Sequence, residues 1–447
     1  MSKAKMVLCV LFSFVVAALL ASGLPVKFTI GFLLAVLVGF LFISRPLVFL
    51  FGLFLLRPAL DEFMVSVRVP LGGADMGLGG LISLVLIVGA LFNCLAAPSG
   101  NRRLHHPLFY LYLIFCLTQT GAFFYSADSV GAIKVLIQYF SILAIFILVL
   151  KNVKTDRDMR FILNGAIFSA IIPLIIGLIK FIMVGEGRFF GSFQHPNILA
   201  YYLMVMLGIV YLRFDKGEEV PRISIPRFLY LGALIAALIM TGTRSGWFAL
   251  MIMMGTFALF FNRKVIIPLL LLVTVLAFVP VVQERLNGLF GSYGSNVVIK
   301  ETSSLAWRLQ QWEGLFGYAK QKPWTGYGIK ADVKFSIFEE PAHNDYLRYF
   351  IGSGVFGVLF YFMPYFYALL HFIKKVGRTG NLMDTKLTVF FVCYIPAFLI
   401  MSVSENLASY LVIHWYIWCF FGIYVSNLIF MKETGYGKED NEEEYFE

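Results

Sequence analysis

Val130 to Leu150 reads VGAIKVLIQYFSILAIFILVL, and Lys134 is the one charge in it. Coiled as an α-helix, a run of this length rises about 30 Å, the thickness of a bilayer's hydrocarbon core. It has no polar stripe to turn toward water, so it reads as a membrane-spanning helix. The same reading recurs along the chain. Apolar runs bounded by charges or Gly/Pro clusters fall near 6–22, 28–44, 46–60, 76–97, 107–124, 130–150, 161–183, 196–212, 228–241, 245–261, 265–282, 346–373, 387–404 and 409–431. The run at 46–60 is the weakest, because Arg57 and Asp61 interrupt it. The expected fold is therefore all-α: a polytopic integral membrane bundle of 12–14 transmembrane helices.

Composition agrees. Of 447 residues 60% are hydrophobic and 14% charged, against about 25% charge in soluble domains. A soluble enzyme, a nucleic-acid-binding domain and a secreted disulfide scaffold are excluded. The five cysteines, Cys9, Cys94, Cys116, Cys393 and Cys419, are scattered through apolar runs and form neither a disulfide framework nor a zinc site. The organisation expected is a transmembrane bundle over 1–283, a long loop over 284–345, a last group of three helices over 346–431 and an acidic tail over 432–447. The tail reads as a disordered solubilising end.

Charge placement sets the orientation. With the N-terminus in the cytoplasm, the inside loops collect 21 Lys and Arg, while the short outside loops hold five. The positive-inside rule then puts both termini in the cytoplasm and the 284–345 loop on the outer side. Lys3 and Lys5 before an apolar run resemble a signal peptide, but the run leads straight into further spans and reads as the first membrane helix. No internal repeat of the transporter kind is visible. The long loop carries Trp307, Trp312, Tyr318, Trp324 and Tyr327, and 305–320 fits an amphipathic helix; a loop this long and aromatic is more often functional than a spacer.

Lys134, Lys180 and Arg348 fall inside spans near the outer face, where snorkelling accounts for each taken singly. As a set they run against the positive-inside bias, and Arg188 and Arg244 lie at the same level in short outer connections. Cations gathered on one rim form a cradle for an anion, phosphate foremost, because the Arg fork matches phosphate oxygens. Three patches carry them. Thr241-Gly242-Thr243-Arg244-Ser245-Gly246-Trp247 joins two spans in a tight turn that fixes Arg244 between helix ends, unless Arg244 merely anchors headgroups. Arg188 precedes His195-Pro196-Asn197, which opens a helix with Pro in its first turn. A helix N-terminus suits an anion, although the tripeptide also reads as a plain cap. His343-Asn344-Asp345-Tyr346-Leu347-Arg348 closes the long loop, with Asn344 or Asp345 as the cap. His343 would sit at the boundary, able to take a proton near neutral pH. Gly352, Gly354 and Gly357 beyond it offer a face for close helix approach.

At these patches the chain resembles the O-antigen ligase and polymerase superfamily of bacterial envelope glycosyltransferases. The residues that carry the resemblance are Arg188 with Phe193 to Asn197, Thr243 to Trp247, Trp307-Arg308, Trp312, Pro323 to Gly328, His343 to Leu347, and Gly354. They cover roughly 180–365, and their order, spacing and common side make a specific set of motifs that are each weak alone. The resemblance implies an undecaprenyl-diphosphate-linked glycan as donor and a glycan hydroxyl as acceptor, on the periplasmic face of the bacterial inner membrane. It implies no metal, nucleotide or other cofactor. Arg188 and Arg244 would stabilise charge developing on the leaving diphosphate, with Lys180 and Arg348 as helpers. His343 would take the acceptor's proton, and direct displacement would invert the anomeric centre. His195, Asn197, Ser245, Trp247, Trp307, Arg308, Trp312, Asn344 and Tyr346 are the expected substrate-binding residues. Glu405, between the last two spans, either orients the His or only caps.

An O-antigen ligase would deliver the glycan to lipid A core, whereas a polymerase would extend another lipid-linked chain; the ligase reading is preferred. Membrane lipids and a chain-length regulator or flippase are the expected partners, and nucleic acid is not. A flippase is the rival from another class, yet it should carry its charges near the midplane and show two related halves. An assembly or sensor protein docking through the acidic tail is a second rival.

Overall fold

The computed structural model describes residues 44–434 with 39, 41 and 42, apart from 72–73, 97, 186, 214–226, 279–305 except 283, and 378–380. The candidate span at 6–22, most of 28–44, the first part of the long loop and the acidic tail from 435 lie outside the described residues. Every candidate run from 46 onward holds a helix. In chain order these are α1 (Pro46–Leu56), α2 (Asp61–Ser66), α3 (Leu78–Ala96), α4 (Pro107–Phe123), α5 (Ser129–Asn152), α6 (Asp156–Phe168), α7 (Ile171–Met183), α8 (Pro196–Arg213), α9 (Arg227–Met240), α10 (Arg244–Phe260) and α11 (Ile266–Ala277). The loop then supplies α12 (Ala306–Ala319) and α13 (Ala331–Lys334), before α14 (Asp345–Lys375), α15 (Leu382–Met401) and α16 (Leu411–Thr434). The protein is an all-α polytopic membrane bundle. Among the described residues six helices are long and apolar enough to cross a bilayer, counting 156–183 as one, and five more are apolar but shorter.

Burial, more than apolarity, marks which helix lies at the centre. In α16, 89% of the apolar window is buried inside the protein, against 22% in α3. Both are apolar all round, so what differs is the neighbour: protein for α16, lipid for much of α3. Trp415, Tyr416 and Trp418 of α16 are fully buried. Their polar atoms are used: Trp415 Nε1 donates to Ser141 Oγ at 3.0 Å and Tyr416 OH donates to the Phe54 carbonyl. A buried indole or phenol needs such a partner, since lipid supplies none. Cys116, Cys393 and Cys419 are buried and free in this core, as small apolar fillers.

Three local features depart from the sequence reading. The run 161–183 is two helices, interrupted at Ser169 and Ala170. Pro173 has no N–H to give the Ser169 carbonyl, so the ladder breaks there. The run 46–60 ends as a helix at Leu56, with Arg57 buried and paired to Asp61 at 2.7 Å. After it, Arg68–Leu71 and Ala74–Gly77 form an antiparallel hairpin (β1, β2) that the apolar pattern did not reveal.

The break inside α14 does most to shape the loop face, the end of the bundle that carries residues 306–344. Ser353 and Gly354 leave helical geometry, Gly354 with φ 67° and ψ −162°. The carbonyls of Ile351 and Gly352 then lack their helical partners, and the loop repairs the loss. Tyr327 N donates to Ile351 O, Gly328 N to Gly352 O, and Val355 N to Pro323 O, each at 2.8 Å. The glycine stripe therefore receives a loop and not another helix. A Cβ on Gly354 would lie 2.2 Å from the Trp324 carbonyl oxygen. Gly354→Ala is expected to lose about 1–3 kcal/mol from the backbone conformation alone, before the clash is counted. A thermal unfolding midpoint unchanged from wild type in detergent would refute this account of the break.

Candidate functional site

Residues 187–195 cross the loop face between α7 and α8 and are tied down at both sides. Phe189 N donates to Met240 O at 3.0 Å, and Ser192 Oγ donates to Pro58 O at 2.7 Å. This sets the Arg188 guanidinium against the α9–α10 turn. Its Nε donates to Thr241 O at 2.7 Å, and its Nη2 to Thr243 Oγ1 at 3.2 Å and Asn197 Oδ1 at 3.4 Å. Thr243 Oγ1 in turn donates to Asn197 Oδ1 at 3.2 Å. Gly242, at φ 62°, makes the turn that presents the Thr241 carbonyl. The first two sequence patches are thus one structural unit, and Arg244, half-buried, opens α10 between Thr243 and Ser245.

Glu405 joins that unit to the loop. It is 2% exposed, in the short connection between α15 and α16. Asn197 Nδ2 donates to its two oxygens at 3.4 and 3.3 Å, Ser245 Oγ to Oε1 at 2.9 Å and Tyr410 OH to Oε2 at 3.4 Å. Arg308 Nη2, on α12, stands 3.8 Å from Oε1, and its Nη1 donates to Ser404 O at 2.8 Å. Burial, and then the Glu405 charge, push the Tyr410 phenol well above its ordinary range, so it stays a donor. A buried carboxylate needs this many partners.

The chain of contacts continues to the histidine. The Arg308 guanidinium lies 5.8 Å from the Trp307 ring centroid, and the Trp307 ring meets His343 edge-on at 5.6 Å. His343 has φ 47°, a left-handed conformation uncommon outside glycine. Its neighbours hold it there. Ala342 O accepts from Trp312 Nε1 at 2.7 Å, Ala342 N donates to Asp332 Oδ2 at 3.3 Å, and Gln311 Nε2 donates to Glu340 O at 2.8 Å. Asn344 caps α14 by accepting from Leu347 N at 3.0 Å. Asp345 is not the cap: it is fully buried, its N donates to Ser402 O at 2.7 Å, and its Oδ2 accepts from Ala408 N at 3.1 Å. That carboxylate fastens the start of α14 to the connection that holds Glu405.

Beside His343, between α12 and α14, lies a cavity of about 680 Å³. Trp312, Phe316, Tyr346, Phe350 and Leu359 make its apolar wall, and Asn344 and Glu313 are its polar lining residues. Tyr346 is fixed by stacking on Phe362 at 4.0 Å and by donating to Leu399 O at 3.1 Å.

Other expected site residues have partners of their own. Trp247 is 6% exposed and gives its Nε1–H to Leu238 O at 3.2 Å, so it locks the α9–α10 turn and has no face for a sugar. Lys180 pairs with Glu62 at 2.5 Å. Arg348 donates to Ser409 Oγ. His195 acts as a cap: its Nδ1 accepts from Asn197 N at 3.2 Å. Burial, helped by the Arg188 charge, lowers the His195 pKa from 6.5, which keeps Nδ1 an acceptor. The unfolded chain then binds this proton at higher pH than the folded one, so His195 subtracts stability as pH falls below 6.5. Replacing His195 by Asn is expected to flatten that part of the pH–stability curve; an unchanged curve would contradict the capping role. Asp61 and Glu62, an adjacent acid pair, are held by Arg57 and Lys180. Among the described residues no three His, Cys, Asp or Glu side chains gather as metal ligands.

Glu405, Thr241 and Asp345 are what sequence reasoning left open or missed. A lone acid in an outer hairpin between two apolar spans was the available signal for Glu405; the Thr241 carbonyl and the burial of Asp345 had none.

Residues 229–362 match the family model described as O-antigen ligase, a segment that contains Arg244, α12, the loop and His343. Arg188 and Glu405 lie outside it. No curated protein matches the chain.

Proposed function

We propose, on the premise that the chain is of the O-antigen ligase and polymerase superfamily of membrane glycosyltransferase-type enzymes, that it transfers a glycan from undecaprenyl diphosphate to a hydroxyl of lipid A core. The observation that carries the reading is the linked set Arg188–Asn197–Glu405–Arg308–Trp307–His343, which gathers residues from four distant segments on one face. In this reading that face is periplasmic, the membrane is the bacterial inner membrane and both termini are cytoplasmic. The chain then divides into a transmembrane bundle over 1–283, a periplasmic loop over 284–345 and a last group of helices over 346–431.

The acceptor oxygen attacks the anomeric carbon as the bond to the diphosphate oxygen breaks, and the electron pair leaves with the diphosphate. The configuration inverts. Arg188 and Arg244 meet the charge that appears there, in a site whose dipoles are already oriented. Arg308, held by Glu405 and the Ser404 carbonyl, extends the cationic wall. His343 takes the acceptor proton, and its constrained backbone fixes where the imidazole stands. The apolar cavity between α12 and α14 suits the isoprenoid chain, and Trp307 and Trp312 frame the way from it to His343. These fixed cations supply the electrostatic role that a divalent metal plays elsewhere.

The test is transfer by purified full-length protein from a lipid-diphosphate glycan, with lipid A core or a second lipid-linked glycan as acceptor, in chelator. Transfer to lipid A core that persists in chelator and falls about 10²–10⁴-fold in His343→Ala is expected. Transfer only to the lipid-linked acceptor would make the protein a polymerase. Full activity in His343→Ala would refute the base assignment, and loss in chelator the metal-independence.

A further inference from the structure

A second cleft on the loop face takes no part in the chemistry above. It encloses about 340 Å³ between the turn after α4, which supplies Tyr125 and Ala127, and two parts of the loop, Lys322 with Thr325–Tyr327 and Lys334 with Phe335. The wall mixes flat rings, backbone and two ammonium groups, and among the described residues no carboxylate lines it. Lys322 Nζ lies 4.7 Å from the Tyr327 ring centroid and Lys334 Nζ 6.0 Å from that of Phe335. The two rings are 4.8 Å apart. Among the described residues neither lysine has an ion-pair partner within 4.0 Å. The nearby acid Asp128 is already taken by Lys330 at 2.6 Å.

The cleft is also rigid. Tyr125 OH donates to Thr325 O at 2.6 Å, Gly326 N donates to Lys322 O at 3.0 Å, and Tyr327 N is bonded into the break of α14. A preformed site saves the ordering cost that a mobile loop would add to binding.

We propose that this cleft binds an acidic sugar residue of a glycan, separately from the site of transfer. A pyranose offers an apolar face to a ring such as Tyr327 or Phe335, which line the cleft. A carboxylate on that sugar would meet the ammonium groups of Lys322 and Lys334, which line the cleft and otherwise lie over ring faces. The lysines set the preference for acid and the rings set the preference for sugar. A bare lipid headgroup would use the first and leave the second without purpose. Binding here needs no transfer, so its failure would leave the catalytic reading untouched.

The experiment is titration of the full-length protein in neutral nanodiscs with tetragalacturonic acid and with maltotetraose, read by calorimetry at low salt. Tetragalacturonic acid is expected to bind at least tenfold more tightly. Lys322→Ala/Lys334→Ala should abolish the preference, Tyr327→Leu should weaken binding of both sugars, and Lys320→Ala, whose charge lies over Phe316, should change nothing. If the double alanine variant does not fold, Lys322→Gln/Lys334→Gln serves instead. Equal affinities for the two tetrasaccharides, or a preference that survives the double variant, would overturn the proposal. So would phosphatidylglycerol nanodiscs removing the sugar signal through the same lysines, which would make the cleft a lipid headgroup site.

Discussion

Arg188→Ala is expected to lower glycan transfer about 10²–10³-fold, the usual loss when one preorganised donor is taken from a site of developing charge. The reason is geometric as well as electrostatic. Three contacts, to the Thr241 carbonyl, Thr243 Oγ1 and Asn197 Oδ1, fix the plane of the guanidinium. They require donors on two nitrogens of a fork, so Arg188→Lys should recover little, because an ammonium presents one point of charge on a flexible stem. The loss should fall on kcat at saturating donor; because Thr241 and Thr243 are buried, the unpaired acceptors should also cost about 1–3 kcal/mol of stability, too little to account for a rate loss of that size in protein that remains folded. If Arg188→Ala transfers at the wild-type rate, the cationic cradle has been assigned to the wrong residue.

The second large effect belongs to Glu405. Truncation to Ala leaves Asn197, Ser245 and Tyr410 without their acceptor and Arg308 without its counter-charge. Breaking a buried pair from one side costs about 3–5 kcal/mol, and the lower end applies because Arg308 keeps 20% of its side-chain surface. Glu405→Gln separates stability from function. It keeps the volume and one acceptor oxygen, so its unfolding midpoint should stay close to wild type. Its amide nevertheless turns a donor toward Asn197 or Tyr410, and Arg308 is no longer drawn to it. A displacement of about 1 Å in a positioned group costs on the order of 10²-fold in rate, and a drop approaching that size is expected with donor KM nearly unchanged. A merely structural role would give the opposite pattern: a lowered midpoint in Glu405→Gln with kcat intact.

The sequence made the helices legible because lipid imposes a simple rule: every backbone polar group must be satisfied within its own segment, so long apolar runs become helices. From Pro46 onward each run holds a helix, or two where Pro173 breaks the ladder, and a charge such as Arg57 marks an end and a pair with Asp61. The polar patches were legible for the same reason. Arg188, Arg244 and His343 stood out because nothing in an apolar bundle explains them.

What could not be read was who meets whom. His195 is a cap and Trp247 a lock, though both carried motif-like spacing, because one hydrogen bond to a local backbone group already employs each of them. Gly354 looked like a packing surface, and its φ of 67° makes it a helix break that receives the loop. Glu405 was one acid in a hairpin until burial showed it holding three segments and Arg308. Hydrophobicity and charge act residue by residue and are written along the chain, so they settled the membrane, the helices and the suspect cations. The hydrogen bonds that join Arg188 to Glu405 and Glu405 to the loop depend on distances between residues up to 208 positions apart. Only the packed bundle sets those distances, and so only the tertiary structure decided which polar residues form one site.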